Sequence, residues 1–172
     1  MLQDSQRYGQ YAMTHEELMA FCQHEIQAVL ASLRKDGRPF AIPLGFLFDG
    51  TDFWITGAEG RALAPRLRRR PEVCLTICGQ EVMPTRFVIA EGIAEEVDDP
   101  DNEMSRRIYA KGSHTIAAKR INVEKFMASW EAVGRIVFRI RVTNLVTYDG
   151  GKTPRDEKYT TGTGMPGDRR RS

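Results

Sequence analysis

The stretch from Ala28 to Gly60 reads AVLASLRKDGRPFAIPLGFLFDGTDFWITGAEG. It contains three apolar runs, separated by Asp36-Gly37 and Asp49-Gly50. An Asp-Gly pair between apolar runs indicates a β-hairpin, because a type I′ turn needs positive φ at both central residues. The stretch therefore predicts a three-stranded antiparallel meander.

The middle strand of this meander is predicted to have two different faces, because side chains alternate along a strand. One face is large and apolar and is predicted to lie in the core: Phe40, Ile42, Leu44, Phe46 and Phe48. The other face is mostly small, and it favours close approach of another backbone or a flat ring: Ala41, Pro43, Gly45 and Leu47.

The length of 172 residues favours one domain that folds without a metal ion or disulfide. We expect an N-terminal arm and helix over residues 1–24, a barrel over 25–150 and a C-terminal tail over 151–172. The longest apolar runs have only the length of a strand, which argues against a membrane span. The N-terminus lacks the layout of a secretory signal, so we expect a cytoplasmic protein.

Charge and cysteine content narrow the classes of partner. The net charge of +2 is too small for a basic field that binds nucleic acid, although five arginines between Arg61 and Arg70 allow a local anion site. No set of Cys and His residues has the spacing of a zinc site, so no metal is expected. Cys22, Cys74 and Cys78 are predicted to be buried and unreactive.

Further elements follow the meander, and they predict a mainly β protein: a six-stranded antiparallel barrel with peripheral helices. The N-terminal helix has a capping box at Thr14 and Glu17. Trp54 and Trp130 are expected in the core, with the rim of a ligand site as the alternative. The other predicted elements are a helix over Arg61–Arg70, strands over Glu72–Gly79, Arg86–Val97 and Arg135–Tyr148, a helix from the acidic run at residues 98–101 to Lys111, and a helix after Asn122 with the buried stripe Val123, Phe126, Met127 and Trp130.

The exit of the third strand is the best candidate for an anion site. Thr56 supplies a hydroxyl, Gly57 and Gly60 free the backbone, and Arg61 is predicted to open a helix whose N-terminal N–H groups bind phosphate. Arg66 extends the basic patch. The alternative is a structural connection with solvated arginines. No motif of a hydrolase, kinase or dinucleotide-binding enzyme is present, so no catalytic residue is indicated.

The histidines offer no catalytic grouping, because they are scattered along the chain. His15 and His24 flank the first helix and are expected at the surface. His114 follows Lys111-Gly-Ser in a predicted loop, and contact with a ligand remains open for this residue beside a structural role.

The whole pattern resembles the pyridoxamine 5′-phosphate oxidase-like, flavin-binding split barrels. The resemblance covers residues 25–150 and rests on AVLASLRKDGRPFAIPLGFLFDG, FWITGAEGRALAPRLRRRPEVCLTI, FVIAEGIAEEV and VFRIRVTNLVTYDGGK in that order. The last fragment is similar to the final strand of the deazaflavin-using actinobacterial branch. The resemblance implies a six-stranded split β-barrel that forms a homodimer, with two cofactor sites at the subunit interface.

The resemblance also implies a cofactor, which is coenzyme F-420 or, alternatively, FMN. Its phosphate would meet Thr56, Gly57 and the Arg61 region, and its ring would lie near Pro43 and Gly45. One position departs from the pattern: the family often has a phosphate-binding lysine about two residues after Arg61, where this chain has Leu63.

Three functions follow from the resemblance. The first is an oxidoreductase that transfers a hydride between coenzyme F-420 and a small organic substrate. The second is an FMN-dependent oxidase or reductase. The third is a non-catalytic split barrel that binds a flavin or haem. Of the three functions, this one is favoured most by the leucine at position 63, where the family often has a lysine.

Overall fold

The computed structural model describes residues 9–81, 84–112 and 122–153, without the side chains of Val123 and Met127. Six antiparallel strands form a closed barrel in the order β1-β2-β3-β6-β5-β4, which confirms the predicted fold class. The strands are β1 (Gln27–Leu33), β2 (Pro39–Phe48), β3 (Phe53–Ala58), β4 (Glu72–Cys78), β5 (Arg86–Val97) and β6 (Arg135–Asp149). The helices are α1 (His15–His24), α2 (Leu63–Arg69), α3 (Glu103–Lys111) and α4 (Val123–Glu131).

The interior of the barrel is filled by alternate residues of all six strands, as a closed sheet requires. The side chains fully withdrawn from solvent include Leu30, Phe46, Ile55, Leu75, Val88 and Ile140. The predicted core face of β2 is only partly correct. Phe46 is buried, whereas Phe40, Ile42, Leu44 and Phe48 are half-buried. Phe40, Ile42 and Leu44 lie on the part of β2 that does not pair with β3.

The hairpin predictions were right, but the predicted turn type was wrong. Gly37 and Gly50 have φ angles of 83° and 104°, while neither aspartate has positive φ. A type I′ turn needs two such residues, so neither Asp-Gly pair forms one. Instead, Gly37 N–H donates to Arg34 O at 3.0 Å, and Asp49 Oδ1 accepts the N–H groups of Thr51 and Asp52.

The barrel opens between β2 and β3. These strands pair only over Phe46–Phe48 and Phe53–Ile55. Upstream of Phe46, β2 pairs only with β1, and downstream of Ile55, β3 pairs only with β6. The two backbones therefore diverge at Gly45 and Thr56, and a gap forms that ladder hydrogen bonds do not close.

Helix α3 packs over this gap. Ser105 Oγ lies 3.3 Å from Thr56 Oγ1 on β3. On the other side, Ile108 Cγ2 would lie 3.5 Å from a Cβ atom built on Gly45 of β2. The space beside Gly45 is therefore partly taken by α3, and the position of a flat ring near Gly45 stays a prediction.

The ends of the helices follow local chemistry. The capping box at Thr14 and Glu17 is present. Helix α3 begins at Glu103, later than the acidic run predicted, yet Asp99 still caps it by accepting the N–H groups of Met104 and Ser105 at 3.0 and 2.9 Å. Helix α2 begins at Leu63 rather than at Arg61, because Pro65 is tolerated only in a first turn.

Some predictions of which side chains are buried were also wrong. Trp54 lies on the outer face, where its Nε1 donates to Asp49 Oδ2 at 2.6 Å, and it is not a core residue. Cys22 is buried as predicted, but Cys74 is half-buried and Cys78 is exposed, because both lie on the outer face of β4. His15 and His24 are exposed as predicted.

Some predictions fall on parts of the chain that the structure does not describe. His114, most of the N-terminal arm and residues 154–172 of the predicted tail lie outside the described ranges. Within the described ranges, every helix is too short or too polar for a membrane crossing.

Candidate functional site

A cavity of about 620 Å³ lies where β2 and β3 diverge. This volume is in the usual range for a small-molecule or cofactor site. All six residues predicted to bind a cofactor line it, and they come from β2, β3, α2 and the segment before α2: Pro43, Gly45, Thr56, Gly57, Arg61 and Arg66. The structure therefore brings the predicted residues together.

One wall of the cavity consists of residues that sequence reasoning did not place there. Tyr109 from α3, Trp130 from α4 and Arg135 from β6 all line it. The Tyr109 and Trp130 ring centroids are 3.6 Å apart, and the Arg135 guanidinium carbon lies 3.6 Å from the Trp130 centroid. Arg135 Nη2 also donates to Tyr109 Oη at 3.3 Å. Trp130 therefore lies at the rim of the cavity. This is the alternative that the sequence left open, rather than the expected place in the core.

Two hydrogen-bond donors of this wall have no acceptor. The Nε atom of Arg135 and the Nε1 atom of Trp130 are shielded from solvent and have no hydrogen-bond partner among the described residues. Burial lowers the pKa of Arg135, and the nearby charge of Arg61 lowers it further. A buried donor without a partner is costly, so this wall calls for an acceptor, and an anion suits it best.

Arg61 is the second cation at the cavity. It is exposed, and it forms no ion pair with any described residue. It precedes α2 by two residues, and that helix has only seven residues and no side-chain cap. The charge of Arg61, rather than the helix terminus, is therefore the feature of this segment that attracts an anion.

Arg66 lies over an aromatic ring at the edge of the cavity. Its guanidinium carbon lies 3.8 Å from the centroid of the Phe40 ring, and that of Arg34 lies 5.0 Å from the same ring. Arg66 thereby borders both the cavity and a basic cleft of about 730 Å³ beside it. The cleft is lined by Arg34, Lys35, Asp36, Ala62, Pro65, Arg66 and Arg69.

Leu63 occupies the position where the resemblance leads one to expect a lysine. Its Cδ2 atom would lie 3.0 Å from a Cβ atom built on Gly57. The leucine therefore covers the end of β3 with an apolar side chain. Thr56, the neighbouring residue, is 7% exposed and is held by the contact with Ser105.

An uncharged outer face adjoins the cavity at Pro43, which is exposed. Pro43 pairs with Val29, Val29 pairs with Thr76, and Thr76 pairs with Ile89, so these four residues form one row across β2, β1, β4 and β5. Val29 is 43% exposed. A second row runs through Ala41, Ala31 and Cys74. We call these two rows the outer apolar face.

The described cavity lining contains no carboxylate, imidazole, thiol or amine. A search of the described residues for three or more His, Cys, Asp or Glu side chains able to hold a metal ion found none. The only weakly acidic side chain on the described lining is the Tyr109 hydroxyl. The lining therefore binds and shapes a ligand more readily than it reacts with one.

Solved structures with this fold include proteins with different ligands. A conserved hypothetical protein from Mycobacterium tuberculosis is 21% identical, with a TM-score of 0.69 over 86% of this chain and 93% of that one. An F-420 reductase is 18% identical, with a TM-score of 0.57 over 73% and 93%. An FAD and haem binding protein from Mycobacterium smegmatis is 18% identical, with a TM-score of 0.62 over 90% and 80%. At these identities the likeness concerns the fold alone.

A comparison with curated proteins found no match. The family profile described as Pyridoxamine 5′-phosphate oxidase matches residues 14–145, which span the barrel, the cavity wall and the segment before α2. This match covers most of the chain, and the closed six-stranded barrel agrees with it. The chain therefore belongs to the pyridoxamine 5′-phosphate oxidase family.

Proposed function

We propose that the protein is an oxidoreductase that binds coenzyme F-420 in the cavity between β2 and β3 and acts on a small organic substrate. The proposal rests on one observation. The cavity is rich in hydrogen-bond donors, and it adjoins the basic cleft at Arg66, which lines both. The residues fit such a group, because Trp130 and Arg135 have unpartnered N–H groups that can donate to an anionic ligand. The cavity is also large enough for part of a cofactor.

The composition of the cavity supports a function that depends on a cofactor. Its described lining has hydroxyl groups on Thr56, Tyr109 and Ser129, but no His, Asp, Glu or Lys that could activate one of them as a nucleophile for hydrolysis. It also lacks His, Cys and Met, and Tyr109 is the one residue on it of a type that ligates haem iron, so haem storage is the weaker candidate. A bound deazaflavin would supply the hydride-transfer chemistry.

The residues of the chain then have positioning roles. Tyr109, Phe126 and Trp130 form an aromatic wall that excludes water from one side of the cavity. Arg61 and Arg135 hold the anionic part of the ligand. Thr56 is oriented by Ser105 and offers its hydroxyl at the end of β3.

The basic cleft favours coenzyme F-420 over FMN. FMN ends at its phosphate, whereas coenzyme F-420 continues beyond its phosphate into a tail that carries several carboxylates. Arg34, Lys35 and Arg69 line the cleft, and none of them forms an ion pair with a described residue. Free cations along a groove match a flexible polyanion.

The active unit in this proposal is a homodimer in which the outer apolar face meets a second copy of the chain. The face is continuous with the cavity through Pro43, so a partner subunit on it would complete the cavity rim. The first row spans four strands and the second spans three, and the side chains named in them carry no charge, although Glu91 on β5 lies next to Cys74 at the edge of the second row. An exposed apolar patch of this kind is typical of a protein interface.

A titration with both cofactors tests the function. We expect coenzyme F-420 to bind at micromolar concentration or tighter, measured by its fluorescence, and to bind more tightly than its riboside, which lacks the phosphate and the tail. Arg34→Gln and Arg69→Gln should weaken binding of coenzyme F-420 and leave FMN binding unchanged. Arg107→Gln, which removes an exposed charge on α3, is the control. Failure of both cofactors to bind would contradict the proposal.

A further inference from the structure

Position 63 offers no group to a phosphate. Leu63 lies on the backbone of Gly57, and α2, which it begins, is too short to act as an anion site through its N-terminus. If a phosphorylated flavin-type cofactor binds in this cavity, another cation must take the place of the family's lysine. Among the described residues, three arginines line the cavity, namely Arg61, Arg66 and Arg135.

These three arginines differ in how firmly they are held. Arg61 is exposed, and Arg66 rests on the Phe40 ring at the entrance to the basic cleft. Arg135 is half-buried, is stacked on Trp130 and donates to the Tyr109 hydroxyl. A guanidinium that packing already holds in place loses less conformational entropy when it binds a ligand.

Arg135 also has unused hydrogen-bonding capacity. Its Nε atom is shielded from solvent without a partner, although Nη2 is engaged with Tyr109. The neighbouring Nε1 of Trp130 is in the same state. Three observations thus converge on one place: a held guanidinium, two unpartnered donors, and a second cation, Arg61, close enough to lower the pKa of Arg135.

We propose that Arg135 is the main side chain that binds the cofactor's phosphate, taking the role of the absent lysine, with Arg61 as the second cation. The inference rests on the proposed function, since it assumes a phosphorylated cofactor. A guanidinium donates two parallel N–H bonds to a phosphate, which suits a site where one residue must replace a lysine. The phosphate would also relieve the repulsion between the two arginines.

FMN and riboflavin provide the test, because they differ only in the phosphate. Their dissociation constants are measured by flavin fluorescence with the full chain. The wild type should prefer FMN, and Arg135→Gln should reduce the ratio of the two constants roughly 10- to 100-fold while riboflavin binding stays within about threefold. Arg135→Lys should keep part of the preference. Arg141→Gln, an exposed arginine on the same strand, should leave the ratio unchanged.

A second variant separates phosphate binding from a structural role. Leu63→Lys, introduced into Arg135→Gln, should restore the preference for FMN, because it returns the family's lysine to its position. Equal loss of FMN and riboflavin binding in Arg135→Gln and in Arg135→Lys would show that Arg135 only supports the fold, and would overturn the inference. An unchanged ratio in Arg135→Gln would also overturn it.

The result for the wild type distinguishes the inference from the proposed function. If the wild type binds coenzyme F-420 but not FMN, the same ratio is measured with coenzyme F-420 and its riboside. If the wild type binds neither phosphorylated cofactor, the proposed function fails and the inference fails with it. If the wild type binds the cofactor but the variants do not change the ratio of dissociation constants as expected, the inference alone fails.

Discussion

Leu63 and Gly57 are in direct contact across the end of β3, so that a methyl group on Gly57 would lie 3.0 Å from Leu63 Cδ2. We expect Gly57→Ala to push the leucine side chain into the cavity and to weaken cofactor binding about tenfold or more. The free energy of unfolding should change by less than about 1 kcal/mol, because the displaced atom is the end of a flexible side chain and alanine is favoured over glycine in a strand. Isothermal titration and urea denaturation measure the two effects. Adding Leu63→Ala should restore binding; tight binding by Gly57→Ala alone would contradict this contact's role.

Gly92 is expected to be important for the stability of the barrel. A Cβ atom at this position would lie 2.5 Å from the carbonyl oxygen of Arg141 and 2.9 Å from Ile140 Cγ2, at the irregularity where β5 meets β6. Because the nearest atom belongs to the backbone, Gly92→Ala should destabilise the protein by about 2–3 kcal/mol. Gly112→Ala is the control, since its nearest neighbour would be at 3.7 Å. Equal midpoints of urea denaturation for the two variants would show that the strands rearrange at no cost.

Asp99 is predicted to couple the stability of α3 to the shape of the cavity. Its carboxylate caps α3 through Met104 and Ser105, and Ser105 in turn contacts Thr56. Asp99→Ala should therefore lower the free energy of unfolding by about 1 kcal/mol and also weaken cofactor binding. Asp98→Ala, which changes an exposed neighbour, should do neither. Stability and affinity that both match the wild type would contradict the coupling.

Lys111 gives the protein a predictable dependence on pH. Burial lowers the pKa of its ammonium group from 10.5 to about 8, beside Cys22, Glu25 and the carbonyl of Phe46. The unfolded chain therefore binds more protons than the folded one between about pH 8 and 10.5, so this group makes stability rise with pH in that window. Below pH 8 both states are protonated and the contribution of Lys111 is constant.

Cys22 acts in the opposite direction at higher pH. Burial raises the pKa of its thiol from 9.0 to about 12, so the folded chain keeps a proton that the unfolded chain loses, and stability falls above pH 9. The net rise should therefore be confined to about pH 8–9. Urea denaturation of Lys111→Met at pH 7, 8 and 9 should show that this rise is absent. A rise equal to that of the wild type would assign it to another group.

The outer apolar face makes a prediction about the oligomeric state. Val29→Asp places a charge in the middle of its first row, and we expect it to convert a dimer into a monomer in light-scattering measurements. Cofactor affinity should fall together with the molar mass, because the partner completes the cavity rim. Met19→Asp, at an exposed apolar residue of α1, should leave the mass unchanged. A wild type that is monomeric at micromolar concentration would contradict the dimer.

The barrel was predictable because its signals are local. Alternating apolar residues and two Asp-Gly pairs indicated the hairpins of the first three strands, and the burial of β4 and β6 shows the same alternation. The turn types were not predictable in this way. They depend on the number of residues between the last paired positions, here Leu33↔Pro39 and Phe48↔Phe53, and that number depends on register.

Only part of the candidate site could be predicted from the sequence. Thr56, Gly57 and Arg61 lie in one short segment, so their proximity required no tertiary information. Trp130 comes from a helix whose spacing fits a core stripe as well as a cavity wall. Arg135 occupies an outward strand position just as Arg139 does, but Arg139 pairs with Glu95, whereas Arg135 lies next to Trp130 and Tyr109. Only the packing of α3 and α4 distinguishes these two arginines.

The gap between β2 and β3 has a consequence for how this family diversifies. Three residue pairs join the two strands, and the rest of the cavity is enclosed by helices and by the segment before α2. Substitutions in those enclosing parts leave the ladder hydrogen bonds of the barrel intact. Selection can therefore exchange one ligand for another at little cost in folding, and a cation that position 63 does not offer can come from a distant strand such as β6.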